Sequence, residues 1–115
     1  MQTHMMKTLL AVLLAVLAFN ARAQQHFIDG NVLYEKLQRK DPSAITYILG
    51  VYDAMQIVQI HSGAERYFCA PPAVTGIQLV DAVRGHMEAD PEVRSYPAGV
   101  LVLRALIIAF PCPPA

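Results

Sequence analysis

Residues 41–63, DPSAITYILGVYDAMQIVQIHSG, contain the longest helix that this sequence predicts. Asp41 is suited to the N-cap, where its carboxylate can accept hydrogen bonds from free amides of the first turn. Pro42 is suited to the next position, because its missing N–H would have no partner there. The apolar residues that follow recur in steps of three and four, as on one face of a helix. Gly63 is typical of the position after a helix end, so the stretch predicts a helix from Pro42 to about Ser62.

Two shorter helices are predicted on either side of this stretch. Asn31 can cap a helix over Val32 to Arg39. Thr75 and Gln78 have the spacing of a capping box, in which a hydroxyl and an amide three residues apart satisfy free amides at a helix start. This second pattern predicts a helix from Gly76 to about Ala89.

The last predicted helix runs from Ala98 to Phe110, after a polar connector over Glu92 to Tyr96 and Pro97. It is apolar on nearly every side, which is typical of a helix at the centre of a bundle or at a subunit interface. A domain of about 90 residues encloses no helix completely, so a homodimer is inferred. No segment alternates between apolar and polar residues with a period of two. The predicted class is all-α, a small domain of about four helices.

The N-terminal segment, residues 1–23, has the features of a cleaved secretory signal peptide. Lys7 precedes an uninterrupted apolar run over Leu9 to Phe19, and Ala21-Arg22-Ala23 is a small-x-small cleavage sequence. The run is shorter than the roughly 20 residues that span a bilayer, so cleavage after Ala23 is expected rather than anchoring. The mature chain, residues 24–115, would be one helical domain outside the cytoplasm.

Charge excludes some classes of partner. The chain has nine Lys and Arg and nine Asp and Glu residues. Because Lys7 and Arg22 would leave with the signal peptide, the mature chain would carry two more acidic than basic residues. No basic run remains, which argues against nucleic acid and against anionic membrane as partners.

The mature chain has two cysteines, Cys69 and Cys112. In a small exported domain, two cysteines most simply form one structural disulfide. A loop of about 40 residues closed in this way would stabilise the fold by roughly 3–4 kcal/mol. A reactive thiol or a metal site are the alternatives, but neither cysteine lies in a CxxC motif.

The sequence predicts no catalytic residue, metal or cofactor. His61 and Glu65 are four apart, yet Gly63 separates them and no third ligand is near in the sequence. His86 lies close to acidic residues at the end of a predicted helix, and such a cluster is most often solvated surface. No GxSxG, HExxH, Walker or Rossmann pattern is present. An exported binding protein is therefore favoured over an enzyme.

Two isolated charges lie in apolar helices, Asp53 in the longest one and Arg104 in the last. A buried charge needs a partner, so Arg104 is expected to pair with Asp53 or with Asp81. The alternatives are a position at the rim of the core and a role in binding or catalysis.

Three stretches together resemble a known family: Tyr47–Ala54, Phe68–Asp81 and Pro97–Cys112. Their order is similar to that of the Rap/Tai immunity proteins of type VI secretion. The resemblance implies a periplasmic, helical and often dimeric protein that binds and blocks a peptidoglycan amidase effector. Many relatives have a second cysteine pair, at positions that correspond here to Leu37 and Ala44, so apolar contacts are expected to replace that disulfide.

The mechanism that the resemblance implies is steric, since an inhibitor needs a rigid protruding element rather than catalysis. The connector from Glu88 to Tyr96 is the first candidate, and an ordinary solvated loop is its alternative. Its predicted partner-binding residues are Glu88, Asp90, Glu92, Arg94, Ser95 and Tyr96. The second candidate is the segment Glu65–Phe68 beside Cys69, where Arg66 and Tyr67 are the predicted contacts.

A periplasmic acid-stress chaperone is the rival interpretation. Such a protein exposes apolar surface when its dimer opens in acid, a role that the apolar last helix would serve. The absence of clustered lysines in the sequence argues against it.

Overall fold

The helix predicted within residues 41–63 forms as the sequence indicates. In a computed structural model that describes residues 1–20, 27–63 and 65–114, it runs over Pro42–Ser62. The Asp41 carboxylate accepts a hydrogen bond from the Ser43 amide at 2.9 Å and lies 3.3 Å from the Lys36 ammonium. Hydrogen bonds from Ser43 and, to a smaller extent, the interaction with Lys36 lower the pKa of Asp41 below its usual value. Gly63 ends the helix with a left-handed backbone, φ 63°.

The described residues form five α-helices and one short 3₁₀ helix, and no strand. The α-helices are α1 (Gln2–Asn20), α2 (Gly30–Gln38), α3 (Pro42–Ser62), α4 (Gly76–Ala89) and α5 (Ala98–Ala109), and the 3₁₀ helix is Pro91–Ser95. The predicted all-α class is confirmed.

The start of α4 confirms the predicted capping box. The Gln78 amide donates to the Thr75 hydroxyl at 3.2 Å, and the Thr75 amide donates to the Gln78 side-chain oxygen at 2.9 Å. The prediction for α2 was wrong by two residues. Asp29, and not Asn31, is its N-cap, because the Asp29 carboxylate accepts from the Val32 amide at 3.0 Å.

Helix α1 contains the apolar run of the predicted signal peptide, and its described side chains are exposed. The predicted cleavage sequence, Ala21–Ala23, and the expected first mature residue, Gln24, lie outside the described residues. None of the helices in the described part of the chain is both long and apolar enough to span a membrane.

The core lies between α2, α3, α4 and α5, with one residue each from the loop before α4 and from the 3₁₀ helix. Leu37 and Ala44, the two positions at which the resemblance implied that apolar residues replace a cysteine pair, are both buried in it. The fully enclosed side chains are Phe68, Leu33, Ile48, Met87, Leu101, Leu106, Val83 and Val102. Helix α5 buries only one face in this core, since Val100, Ile107 and Ile108 stay exposed.

Helices α3 and α5 approach one another at Gly99. A Cβ at Gly99 would lie 3.4 Å from the Tyr47 hydroxyl oxygen. Burial raises the pKa of the Tyr47 hydroxyl above its usual value, and a hydrogen bond to the Gly99 backbone opposes the shift.

The predicted disulfide is present between Cys69 and Cys112. It ties the loop before α4 to the segment after α5, and the Cys69 amide adds a hydrogen bond to the Phe110 carbonyl at 2.8 Å. Phe68, directly before the disulfide, is buried in the core. The loop is thus fixed to one end of the helix bundle.

Candidate partner-binding surface

The connector over residues 88–96 is a structured element rather than an open loop. Helix α4 ends at Ala89, and the 3₁₀ helix Pro91–Ser95 follows after Asp90. Within it, the Ser95 hydroxyl donates to the Glu92 carbonyl at 3.2 Å. Val93 points inward and is buried with the core. Val93 therefore attaches the connector to the hydrophobic core.

Arg94 attaches the connector to its neighbours. Its guanidinium carbon lies 3.8 Å from the centre of the Tyr34 ring, and its Nε donates to the Met87 carbonyl at 2.9 Å. A guanidinium over an aromatic face is attracted by the negative charge of the ring face. The predicted contact residue Arg94 is thus half-buried and held against α2 and α4.

A short backbone pairing holds the end of the connector. The Gly30 amide donates to the Tyr96 carbonyl at 2.9 Å, and the Ala98 amide donates to the Ile28 carbonyl at 3.1 Å. A Cβ at Gly30 would overlap with Leu101 and come within 2.7 Å of the Arg94 carbonyl oxygen. Only glycine lets the two backbones approach this closely.

The outward side of the connector is acidic. The predicted contact residues Glu88, Asp90 and Glu92 are all exposed, as is Ser95. The structure therefore places three carboxylates on one short element whose backbone is held by Arg94. An exposed anionic segment of this kind suits a cleft with positive or hydrogen-bond-donating groups.

Tyr96, the last predicted contact of the connector, is 46% exposed. Its ring lies 5.1 Å from the guanidinium carbon of Arg104 on α5. Arg104 is itself exposed, and so is Asp53, while Asp81 pairs with Arg84 at 2.9 Å. The predicted ion pair of Arg104 with Asp53 or Asp81 is therefore wrong, because the charged position lies on the outer face of α5.

The second predicted segment is held by a buried glutamine. The Gln59 side chain is 5% exposed, and its Oε1 accepts hydrogen bonds from the Tyr67 amide at 2.7 Å and the Phe68 amide at 3.1 Å. This holds the backbone of the segment against α3. Tyr67 is 54% exposed and Arg66 is exposed, so both predicted contacts face solvent.

The structure does not bring the two segments together. The segment with Tyr67 lies at the C-terminal end of α5, where Cys69 bonds to Phe110. The connector with Tyr96 lies at the N-terminal end of the same helix. Twelve helical residues correspond to a rise of about 18 Å. The two segments are therefore separate candidates rather than one continuous patch.

Metal ligation has no support in the described part of the chain. Over residues 1–20, 27–63 and 65–114, no three His, Cys, Asp or Glu side chains are arranged to hold a metal ion. His61 instead lies with its Nδ1 3.0 Å from the Ile57 carbonyl.

Sequence reasoning missed the residues that fix both segments in place. Gln59 and Gly30 have no motif around them, and the pairing of Tyr34 with Arg94 joins residues 60 positions apart. The sequence did single out Arg104, as a lone charge in an apolar helix, but it did not predict that this residue lies on the surface.

Comparison with known proteins identifies a family. A family model described as Rap1a immunity proteins matches residues 29–112, which include α2 to α5, the connector and both cysteines. No curated protein and no solved structure matches at a significant level.

Proposed function

The chain belongs to the Rap1a immunity protein family, and from this membership we propose that it binds a peptidoglycan amidase effector of type VI secretion in the periplasm and blocks its substrate cleft. Binding alone gives protection in this proposal, without a catalytic step. The family membership makes the chain a type VI effector immunity protein. The amidase as target and the periplasm as location are the proposed parts.

Export is supported by the N-terminal segment and by the disulfide. Residues 1–23 have the charge, apolar run and cleavage sequence of a signal peptide. The bond between Cys69 and Cys112 is of a kind that persists in oxidising compartments such as the periplasm. Cleavage after Ala23 would leave the helical domain, residues 24–115, free of the membrane.

The observation that carries the steric mechanism is the rigidity of the connector. Arg94 is fixed on Tyr34 and on the Met87 carbonyl, while Glu88, Asp90 and Glu92 remain exposed. An element that is already in its bound shape loses little conformational entropy on binding. A segment that is held in this way and exposes polar groups is therefore well suited to fill a polar substrate cleft.

We place the homodimer contact at the opposite end of α5. Apolar side chains near the C-terminal ends of α3 and α5 are exposed: Ile57, Ile60 and Ile108. Burying such residues between two copies would stabilise a dimer through the hydrophobic effect and leave the connector end free for the effector. Light scattering coupled to size-exclusion chromatography measures the mass of the particle directly.

The proposal is tested by a rescue assay. Peptidoglycan amidase effectors encoded in the same genome are directed to the periplasm of a test bacterium, with and without this protein. We expect one effector to stop causing lysis when the full chain is present, and to co-purify with it. A variant lacking residues 1–23 should not rescue. Lysis that is unchanged for every effector would contradict the proposal.

The connector is tested within the same assay. Replacing Glu88, Asp90 and Glu92 with Gln, Asn and Gln removes their charges with little change in shape, and we expect affinity for the effector to fall. Glu35→Gln is the matched control, since Glu35 is an exposed acid on α2 that pairs with Arg39. Equal affinity of the triple variant and the control would exclude the acidic connector from the interface.

A further inference from the structure

Tyr96 is held through its backbone although its side chain lies on the surface. Its amide donates to the Val93 carbonyl at 3.0 Å, and its carbonyl accepts from the Gly30 amide at 2.9 Å. Its ring has the Arg104 guanidinium on one face, with 5.1 Å between the guanidinium carbon and the ring centre. Before any partner binds, the backbone is thus held by two hydrogen bonds and the ring has one cation–π contact.

Arg104 lies on the outer face of α5, over the ring of Tyr96, which precedes the helix. Val100, one helical turn from Arg104, is exposed on the same face, whereas Leu101 and Ala105 are buried in the core. The positive charge of Arg104 thus lies within an otherwise apolar surface. Tyrosine and arginine are the residue types that most often dominate the energy of protein interfaces.

The charge also bears on which partner covers this face. In a two-fold dimer centred here, the same patch of both copies would meet, and the two Arg104 guanidinium groups would approach one another. Like charges in contact are unfavourable. A partner of different sequence, with acceptor groups opposite Arg104, fits this face better than a second copy.

We infer that Arg104 is a positioning residue, which holds the Tyr96 ring as a preformed anchor for the amidase effector. This inference rests on the proposed function and adds to it a residue outside the connector. Restraint of the ring before binding reduces the entropy lost at the interface. Arg104 acts through Tyr96, so its contribution requires the ring.

Binding of the purified effector is measured for single variants. Tyr96→Ala should weaken binding by about 30-fold or more, as expected for an aromatic anchor. Arg104→Gln should weaken it by about 3- to 5-fold, the effect of one exposed cation–π contact. Arg104→Lys should lie between wild type and Arg104→Gln, because the ammonium keeps the charge but lacks the planar group that stacks on the ring.

The double variant separates positioning from direct contact. If Arg104 acts through Tyr96, Arg104→Gln adds nothing in the Tyr96→Ala background. Arg84→Gln is the matched control: it removes the same charge from an arginine that pairs with Asp81, and should leave binding unchanged. Additive losses, or no loss for Arg104→Gln, would overturn the inference.

The free protein supplies a second readout. In NMR spectra, side-chain protons of Arg104 that lie over an aromatic ring should be shifted upfield, and the shift should vanish in Tyr96→Ala. The absence of this shift in the wild type would overturn the inference. Loss of the dimer in Tyr96→Ala or Arg104→Gln, with no change in effector binding, would also overturn it. If the wild type itself binds no effector, the proposed function has failed, and the inference fails with it.

Discussion

Removal of the Gln59 side chain should destabilise the domain more than any other single polar change on α3. In Gln59→Ala, the amides of Tyr67 and Phe68 both lose their acceptor. The Phe68 amide is buried, and an unsatisfied buried donor costs about 1–3 kcal/mol. The Tyr67 amide is half-buried, and the loss of its bond costs roughly 0.5–1.5 kcal/mol.

The two losses together predict a decrease of about 1.5–4.5 kcal/mol in the free energy of unfolding. A domain of this size has a total stability of about 5–15 kcal/mol, so the change is a large fraction of it. The melting temperature should fall by about 6–36 °C, since each kcal/mol corresponds to about 4–8 °C in a domain of up to 100 residues. Urea denaturation followed by circular dichroism measures the change.

Two matched variants test the explanation. Gln59→Glu keeps an oxygen for both amides, and should be less destabilising than Gln59→Ala at acidic pH, where its buried carboxyl group is neutral. Gln56→Ala removes the group that bonds to the Gln59 Nε2 at 3.0 Å but leaves both amides satisfied, and should cost about 0.5–1.5 kcal/mol. The reasoning would be refuted if Gln59→Ala cost under about 0.5 kcal/mol, or if Gln59→Glu were equally damaging at acidic pH.

Three further predictions follow from the same contacts. Replacing Cys69 and Cys112 together with Ser should lower the free energy of unfolding by roughly 3–4 kcal/mol. In mass spectrometry, the non-reduced wild type should be lighter than the reduced wild type by two hydrogens. Free thiols in periplasmic material would contradict this prediction. Gly30→Ala should cost about 1–3 kcal/mol through overpacking against the Arg94 backbone, measured by urea denaturation; an unchanged midpoint would exclude the close approach. Because the pKa of Asp41 is lowered by folding, its contribution to stability is present above its unfolded value, near 3.8, and is lost as the pH falls through the folded value. Asp41→Asn should therefore show a weaker loss of melting temperature in acid than the wild type.

The helix ends that the sequence predicted correctly are those with local chemistry. Asp41 with Pro42, and Thr75 with Gln78, satisfy the first amides of α3 and α4 using residues two or three positions away. Gly63 ends α3 because it adopts a left-handed backbone. Such signals need no tertiary structure, so the sequence alone is sufficient to read them.

The start of α2 depends on tertiary contacts and was predicted wrongly. Asp29 and Asn31 are both good N-cap residues, so composition does not choose between them. Asp29 also forms an isolated antiparallel bridge with Pro97, and the Gly30 amide bonds to the Tyr96 carbonyl. These contacts between distant parts of the chain fix the segment and select the earlier cap.

The candidate site was predicted as a segment but not in its internal arrangement. The connector lies between α4 and α5 as expected, with its acidic residues exposed. Arg94 lies in a polar segment and Arg104 in an apolar helix, yet both contact an aromatic ring, Tyr34 for Arg94 and Tyr96 for Arg104. Each arginine contacts a ring whose position depends on the packing of the whole bundle, which a local pattern does not contain.

Arg104 shows how a lone charge in an apolar helix should be interpreted. The prediction of a buried ion pair assumed that Arg104 lies on the buried face of α5, but Arg104 lies on the exposed face. Residues 101, 102, 105 and 106 form the buried face, and 100, 104, 107 and 108 are exposed. Burial of a charge carries a large desolvation cost, so Arg104 marks the exposed face. The apolar residues on this exposed face of α5 are then the ones that a binding partner would cover.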